Sequence, residues 1–439
     1  MNLKWKTCLG MVLLGCSSLS SCSNNDPDPS DEIGPNPELP PVSQYLIPPM
    51  RVANVVGWKE NESPSVAGGF KIHAFATGLK HPRSVYTLPN GDTLVAESVA
   101  PPEASAKRPK DLIMDFVQSF ATGTGGGKPI NRITILRDSN GDGTADLKEV
   151  FLDHLNSPFG VALVGSDLYV ANTDAIVRYP YVEGETKITD PGTRLTELPG
   201  GPIDHHWTKS LVASEDGSRL YVGVGSNSNI TENGLEAEKG RAAIWEVERQ
   251  SGRSRIFADG LRNPNGLSFE PQTKALWTVV NERDELGPNL VPDYMTSVKE
   301  GGFYGWPYSY FGRNIDPRVV PQRPDLVSKA IVPDYALSSH VAPLGMVFNT
   351  GDAFPANYRG GAFVGEHGSW NRYAFNGYKV IYVPFKNGHP SGSPIDVVNG
   401  FLSERNEARG RPVGLALDKS GALLIADDAG NTVWRVTSG

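Results

Sequence analysis

Two histidines and a set of arginines stand at matching places in short segments of this sequence. Arg83 lies in His81-Pro82-Arg83-Ser84-Val85, and His206 in His205-His206-Trp207-Thr208-Lys209. His340 lies in Ser338-Ser339-His340-Val341-Ala342-Pro343, Arg372 in Ser369-Trp370-Asn371-Arg372, and Arg409 and Arg411 in Arg409-Gly410-Arg411-Pro412. A neutral imidazole titrates near physiological pH and suits general-base work. Guanidinium forks suit carboxylates. Gathered at one place, such groups would hold a small polyanion beside a proton acceptor. A separate signal is Asp138-Ser139-Asn140-Gly141-Asp142-Gly143-Thr144-Ala145-Asp146-Leu147-Lys148-Glu149. Asp138, Asn140, Asp142, Asp146 and Glu149 fall at calcium-loop positions, with glycine at the sixth. A metal-free polar hairpin turn explains the same residues equally well.

What would gather the first set is a repeat. A polar or small residue, proline, any residue, a small residue and an apolar run recur five times. The copies begin at His81, Ser157, Asn263, Ala342 and Arg411, and a degenerate one without proline spans His206 to Leu211. Turn pairs such as Asn90-Gly91, Asp216-Gly217 and Ser420-Gly421 follow, then a second apolar run. Six strand–turn–strand seeds predict an all-β chain folded as a six-bladed β-propeller. The last copy is one strand short. Phe70 to Phe75 alternates apolar and polar, and this N-terminal strand is expected to close the last blade. In a propeller the segments entering the innermost strands meet at one mouth of the channel. Arg83, His206, Asn263, His340, Arg409 and Arg411 are therefore expected to converge there.

Bulk composition agrees. The 439 residues include 48 glycines and 35 prolines, suited to short strands and tight turns, and the net charge of -8 with no basic stripe argues against nucleic acid as a partner. Lys4 and Lys6 precede an apolar run and small residues, the layout of a secretory signal. All three cysteines, Cys8, Cys16 and Cys22, lie in this leader. Leu19-Ser20-Ser21-Cys22 resembles a lipobox, with Cys16 a second candidate. The expected organisation is a lipoprotein signal over 1–22, a flexible Pro/Asn/Asp-rich linker over 23–65 and the propeller over 66–439. The protein would be a secreted lipoprotein, periplasmic or at the cell surface, on the outer membrane and tied to it by its lipid only.

Gly260-Leu261-Arg262-Asn263-Pro264-Asn265-Gly266-Leu267, Val280-Asn281-Glu282-Arg283-Asp284-Glu285 and Gly301-Gly302-Phe303-Tyr304-Gly305-Trp306-Pro307 carry a family likeness. With Val364 to Arg372 and Arg409 to Gly414, they resemble the PQQ-dependent glucose/sorbosone dehydrogenase superfamily, closest to its sorbosone and pyranose branch. The resemblance implies pyrroloquinoline quinone (PQQ) and Ca2+ as cofactors and a small-molecule sugar as substrate. It makes His206 the base that takes the hydroxyl proton while hydride passes to the quinone. It assigns the cofactor to Arg409 and Arg411, with Arg372, His340 and Asn229 around it. Arg83 would replace an arginine that the family carries near Asn229. It places a calcium at main-chain oxygens of Arg283 and Asp284, where the glucose branch has Gly-Pro instead. His205 is expected to point away from His206, as neighbours on an extended strand do. No Cys-x-x-Cys-His haem site is present, so electrons would leave to a separate acceptor, a quinone or a cytochrome. Loops over 100–128 and 311–337 would select the sugar. Two other readings suit a propeller: a gluconolactonase-like metal-dependent hydrolase, and a non-catalytic lipid-anchored binding module.

Overall fold

The computed structural model describes residues 31–46, 48–102 and 130–439. Cys22, the signal segment and most of the 100–128 loop lie outside these residues. Six antiparallel sheets make six blades, and each repeat segment enters an innermost strand. These inner strands are Pro82–Thr87, Gly160–Val164, Leu211–Ala213, Pro264–Phe269, Pro343–Phe348 and Pro412–Leu417, in blades one to six. Phe70–Ala76 pairs with Thr432–Ser438 as the outer strand of blade six, so the two ends of the domain lock the ring. One short α-helix, Pro324–Val327, occurs among the described residues.

The small residue of the repeat has a steric reason. A side chain on Gly414 would put its Cβ 2.7 Å from the Ser84 Cα of blade one, and one on Gly266 would reach 2.6 Å from the Met346 amide of blade five. Adjacent inner strands thus pack backbone on backbone. The variable residue of the repeat points inward: Phe159, Leu344 and Val413 form one buried cluster. Below them the inner strands line a cavity of about 550 Å3.

The proline has its own consequence. It offers no N–H to the neighbouring strand, and three of these prolines lie opposite a buried acid: Pro82 opposite Glu97, Pro343 opposite Glu366 and Pro412 opposite Asp427. Glu97 accepts the Lys80 amide, and Asp427 accepts the Arg411 amide at 2.7 Å. In these two copies an acid clamps the turn that enters the inner strand. The residue before proline is left-handed in three copies, at His81, Ser157 and Ala342. That conformation is unfavourable for non-glycine residues and collects at functional mouths.

Residues 31–65 depart from the expected free linker. Ile33–Gly34 adds a fifth strand to blade four and Ser65–Val66 a fifth to blade five. Between them Trp58 packs on Phe401 and Trp434. The Pro-rich stretch is a strap laid over the propeller. Its strands are two residues long, too short to print a period-two pattern.

Candidate active site

The segments entering the inner strands and the ends of the second strands share one mouth, and two polar clusters form there. The first joins blades one, five and six. Asp428 takes an ion pair from Arg83 and both of its oxygens lie 3.1 Å from His367 Nε2. Burial alone would raise the Asp428 carboxyl, but His367, Arg83 and Arg411 outweigh it and hold it far below the usual carboxylate range. Burial lowers His367; Asp428 opposes this, and Arg411 and Arg83 add to it. The Arg83 guanidinium lies 5.6 Å from the Trp207 ring centre, and that of Arg411 5.4 Å from Tyr378. The Nε atoms of Arg83 and Arg411 are buried and have no acceptor among the described residues.

The second cluster joins blades three and four around Arg262, which is 2% exposed. Its five N–H groups reach oxygens only: Asn229 O at 3.2 Å, Asn281 O at 3.1 Å, Glu282 O at 2.7 Å, Asn229 Oδ1 at 3.0 Å and Asp284 Oδ2 at 3.1 Å. The other Asp284 oxygen meets His340 Nδ1 at 3.2 Å. Burial favours a neutral carboxyl on Asp284, but His340 and Arg262 override it and lower its pKa. Burial likewise opposes the His340 charge, and Asp284 and Asp293 overcome it and raise the imidazole.

His206 sits at the edge of this cluster in a turn, not on a strand. The expected opposition with His205 is therefore not one of strand faces. The two rings meet edge to face with centres 4.7 Å apart, His205 exposed and His206 partly buried. His206 Nδ1 lies 3.0 Å from Ser226 O and 2.9 Å from Ser226 Oγ. Ser226 Oγ donates its own hydrogen to Ser228 O at 2.7 Å, so it can only accept from the ring. Nδ1 therefore carries the proton and Nε2 keeps a free lone pair. Burial, with the Arg262 and His205 charges, pushes the imidazole well below its usual value. Behind it, buried Lys209 donates to Trp207 O at 2.9 Å and pairs with Asp204, which also holds Arg241. Burial brings the Lys209 pKa down to about 8.

The other expected site residues are placed as follows. Asn229 is the spacer between Arg262 and Asp284, donating to Asp284 O at 3.2 Å. Arg372 is buried and meets Glu32 of the strap at 3.3 Å and Ser339 O at 3.2 Å. Arg409 and Arg411 part company: Arg409 is partly exposed and 3.7 Å from Glu62, whereas Arg411 turns in toward Tyr378. The side chains of Arg283 and Asp284 are committed elsewhere, Arg283 to a buried ion pair with Asp316 and Asp284 to Arg262 and His340. In the Asp138–Glu149 segment, Asp138 accepts the amides of Gly141, Asp142 and Gly143, and Asp146 accepts from Ser139. Its carboxylates close a hairpin turn. Among the described residues no three His, Cys, Asp or Glu side chains gather as metal ligands. Asp428, His367, Arg262 and Ser226 were not singled out from sequence. The doublet Asp427-Asp428 at a strand end was the available signal.

Two family models match the chain: Glucose / Sorbosone dehydrogenase over residues 165–371 and TrAA12-like over residues 326–439. The first spans blades two to five, including His206, Arg262 and His340. Together the two matches support the glucose/sorbosone dehydrogenase superfamily. An uncharacterized protein of Borreliella burgdorferi is 28% identical over 292 residues, 64% of this chain and 76% of that protein. A pyrroloquinoline quinone-dependent sugar dehydrogenase of Hypocrea jecorina is 22% identical over 85% of this chain and 89% of its own length. The holo form of the pyranose dehydrogenase PQQ domain from Coprinopsis cinerea superposes with a TM-score of 0.68 at 20% identity, covering 88% of this chain and all of that one. That likeness is one of fold, the six-bladed propeller.

Proposed function

We propose that this protein oxidises an aldose or related pyranose with PQQ as its redox cofactor, His206 acting as the general base. The observation that carries this reading is the His206 tautomer, with Nε2 free at a mouth lined by arginines. The donor set fits the cofactor. Arg83 Nε and Arg411 Nε are buried without acceptors among the described residues, and a flat tricarboxylate supplies acceptors for both, with Trp207 and Tyr378 beside the guanidinium groups. When bound, PQQ supplies an ortho-quinone able to take up hydride. Arg83 and Arg411 would hold and orient the anion. His206 Nε2 accepts the sugar hydroxyl proton as the carbon–hydrogen bond breaks and the carbon–oxygen double bond forms. Ser226 keeps the ring in the receptive tautomer throughout. Arg409 at the rim and His340 beneath Asp284 serve this site from a distance rather than by direct contact. A calcium here would rest on main-chain oxygens, since the Arg283 and Asp284 side chains are committed elsewhere, and Asp284 O already accepts from Asn229 Nδ2 at 3.2 Å and from the Arg283 guanidinium. Electrons then leave to a separate carrier, a quinone or a cytochrome. The lipid anchor on Cys22 keeps the enzyme on the periplasmic or outer face of a membrane.

The test is direct. Purified protein given PQQ, with and without calcium, should reduce a redox dye when supplied with a panel of aldoses. Lactone hydrolysis without PQQ would move the protein to the hydrolase reading, and failure to bind PQQ would end the proposal.

A further inference from the structure

The strap touches all three segments that the proposed cofactor site depends on. At the blade-four end, buried Glu32 accepts from Ser338 Oγ at 2.9 Å, from the Ser339 amide at 3.3 Å and from Arg372 at 3.3 Å. In the middle, the Ser43 amide donates to Leu286 O at 2.7 Å. Asn371 donates to Pro49 O at 2.9 Å and accepts the Glu285 amide at 2.9 Å, so it rivets the strap to the Glu282–Glu285 loop. Toward blade six, Ala408 forms a parallel bridge opposite Val55, accepting the Val56 amide at 2.8 Å and donating its own amide to Asn54 O at 2.8 Å. Trp58 Nε1 then donates to Asp427 Oδ2 at 2.7 Å. Asp427 Oδ1 accepts the Arg411 amide, and Trp434 and Gly430 complete its shell.

We infer that the strap over 31–62 is a wall of the cofactor site, and that Trp58 and Glu32 are positioning residues within it. Trp58 acts through Asp427 on the backbone of Arg411. Glu32 acts on Arg372 and on the turn that carries His340. Neither residue touches the mouth itself. The propeller closes without the strap, because Phe70–Ala76 alone supplies the locking strand. The strap is therefore not needed to close the ring; it packs on the outer edges and cores of the blades, and its polar contacts named above reach the segments on which the site is built. This inference rests on the PQQ reading above.

The experiment uses the full chain. PQQ binding to the apoprotein is titrated by quenching of intrinsic fluorescence for the parent, Trp58→Phe and Glu32→Gln. Thermal midpoints are measured without PQQ, and kcat and KM are measured on the aldose that the parent oxidises best. Trp58→Phe removes the Nε1 hydrogen bond to Asp427, and Glu32→Gln removes the negative charge that faces Arg372; each loss is expected to weaken PQQ binding about tenfold. KM for the sugar should change less than twofold, a split that general destabilisation would not produce. Glu32→Gln keeps the shape of the side chain and serves if Trp58→Phe does not fold. A parent that binds PQQ, with both variants binding it equally well, overturns the strap inference alone. A parent that does not bind PQQ overturns the functional reading and this inference with it.

Discussion

At the residue scale the decisive atom is His206 Nε2. Its freedom follows from one serine: Ser226 spends its hydrogen on Ser228 and so forces the ring proton to Nδ1. His206→Gln should retain PQQ affinity within about threefold and lower kcat by about a hundredfold or more, the usual worth of a positioned base; stopped-flow reduction of the bound cofactor measures it. Ser226→Ala removes only the hydroxyl acceptor, leaves the carbonyl, and should cost less. The pH dependence has a definite sign. The native His206 pKa lies below the unfolded value near 6.5. Below that value the unfolded chain takes up a proton that the native chain refuses. Stability is full above pH 6.5 and falls as pH drops toward the native pKa. His340 and the buried acids Glu282, Asp293, Glu366 and Asp427 are shifted upward and act in the opposite sense, so the His206 contribution is read as a difference: from pH 7 to pH 5 the thermal midpoint of the parent should drop relative to that of His206→Gln. His367 shifts in the same direction and adds to the parent slope.

At the scale of elements, the repeat shows what was legible in the sequence. Each copy marks an inner strand because backbone contact between blades demands a small residue there, and a steric demand of that kind leaves a residue type behind. Gly414→Ala tests it: a Cβ 2.7 Å from Ser84 Cα and 2.8 Å from Arg83 O cannot be accommodated without backbone movement. We expect a loss of about 2 kcal/mol, read as a lower midpoint in denaturant unfolding. The polar clusters were less legible. Arg83, His367, Arg411 and Asp428 come from blades one, five and six and meet only when the ring closes, so no spacing announces them. Arg262 stood one residue before a position that was read, Asn263, and its role appears only with the oxygens around it. The Asp138–Glu149 segment shows the reverse case. Its carboxylates matched a metal template, yet the same oxygens satisfy turn amides.

At the scale of the whole molecule, ring closure and site assembly are the work of different N-terminal pieces. Phe70–Ala76 closes the propeller, and the strap before it completes the mouth. A chain beginning at residue 67 is accordingly expected to keep a cooperative β-rich fold by circular dichroism and to lose most of its PQQ affinity. The composition of 31–65 did not announce its contacts, because proline and asparagine describe an irregular strap as well as a disordered one.

The pairing of Ile33 with Leu337 on the outer edge of blade four also sets a leash. Were Cys22 to carry acyl chains, nine residues would lead to Asp31, a reach of at most about 32 Å, where a free stretch to residue 65 would allow about 150 Å. The rim of blade four would then be held close to the bilayer and blade one, diametrically across the ring, turned outward. The body past Cys22 has no other cysteine, so single labels are simple to place. In lipid vesicles, a headgroup-borne quencher should dim a fluorophore at Val332→Cys well before one at Asp153→Cys. Equal quenching would mean that the molecule tumbles freely above its anchor.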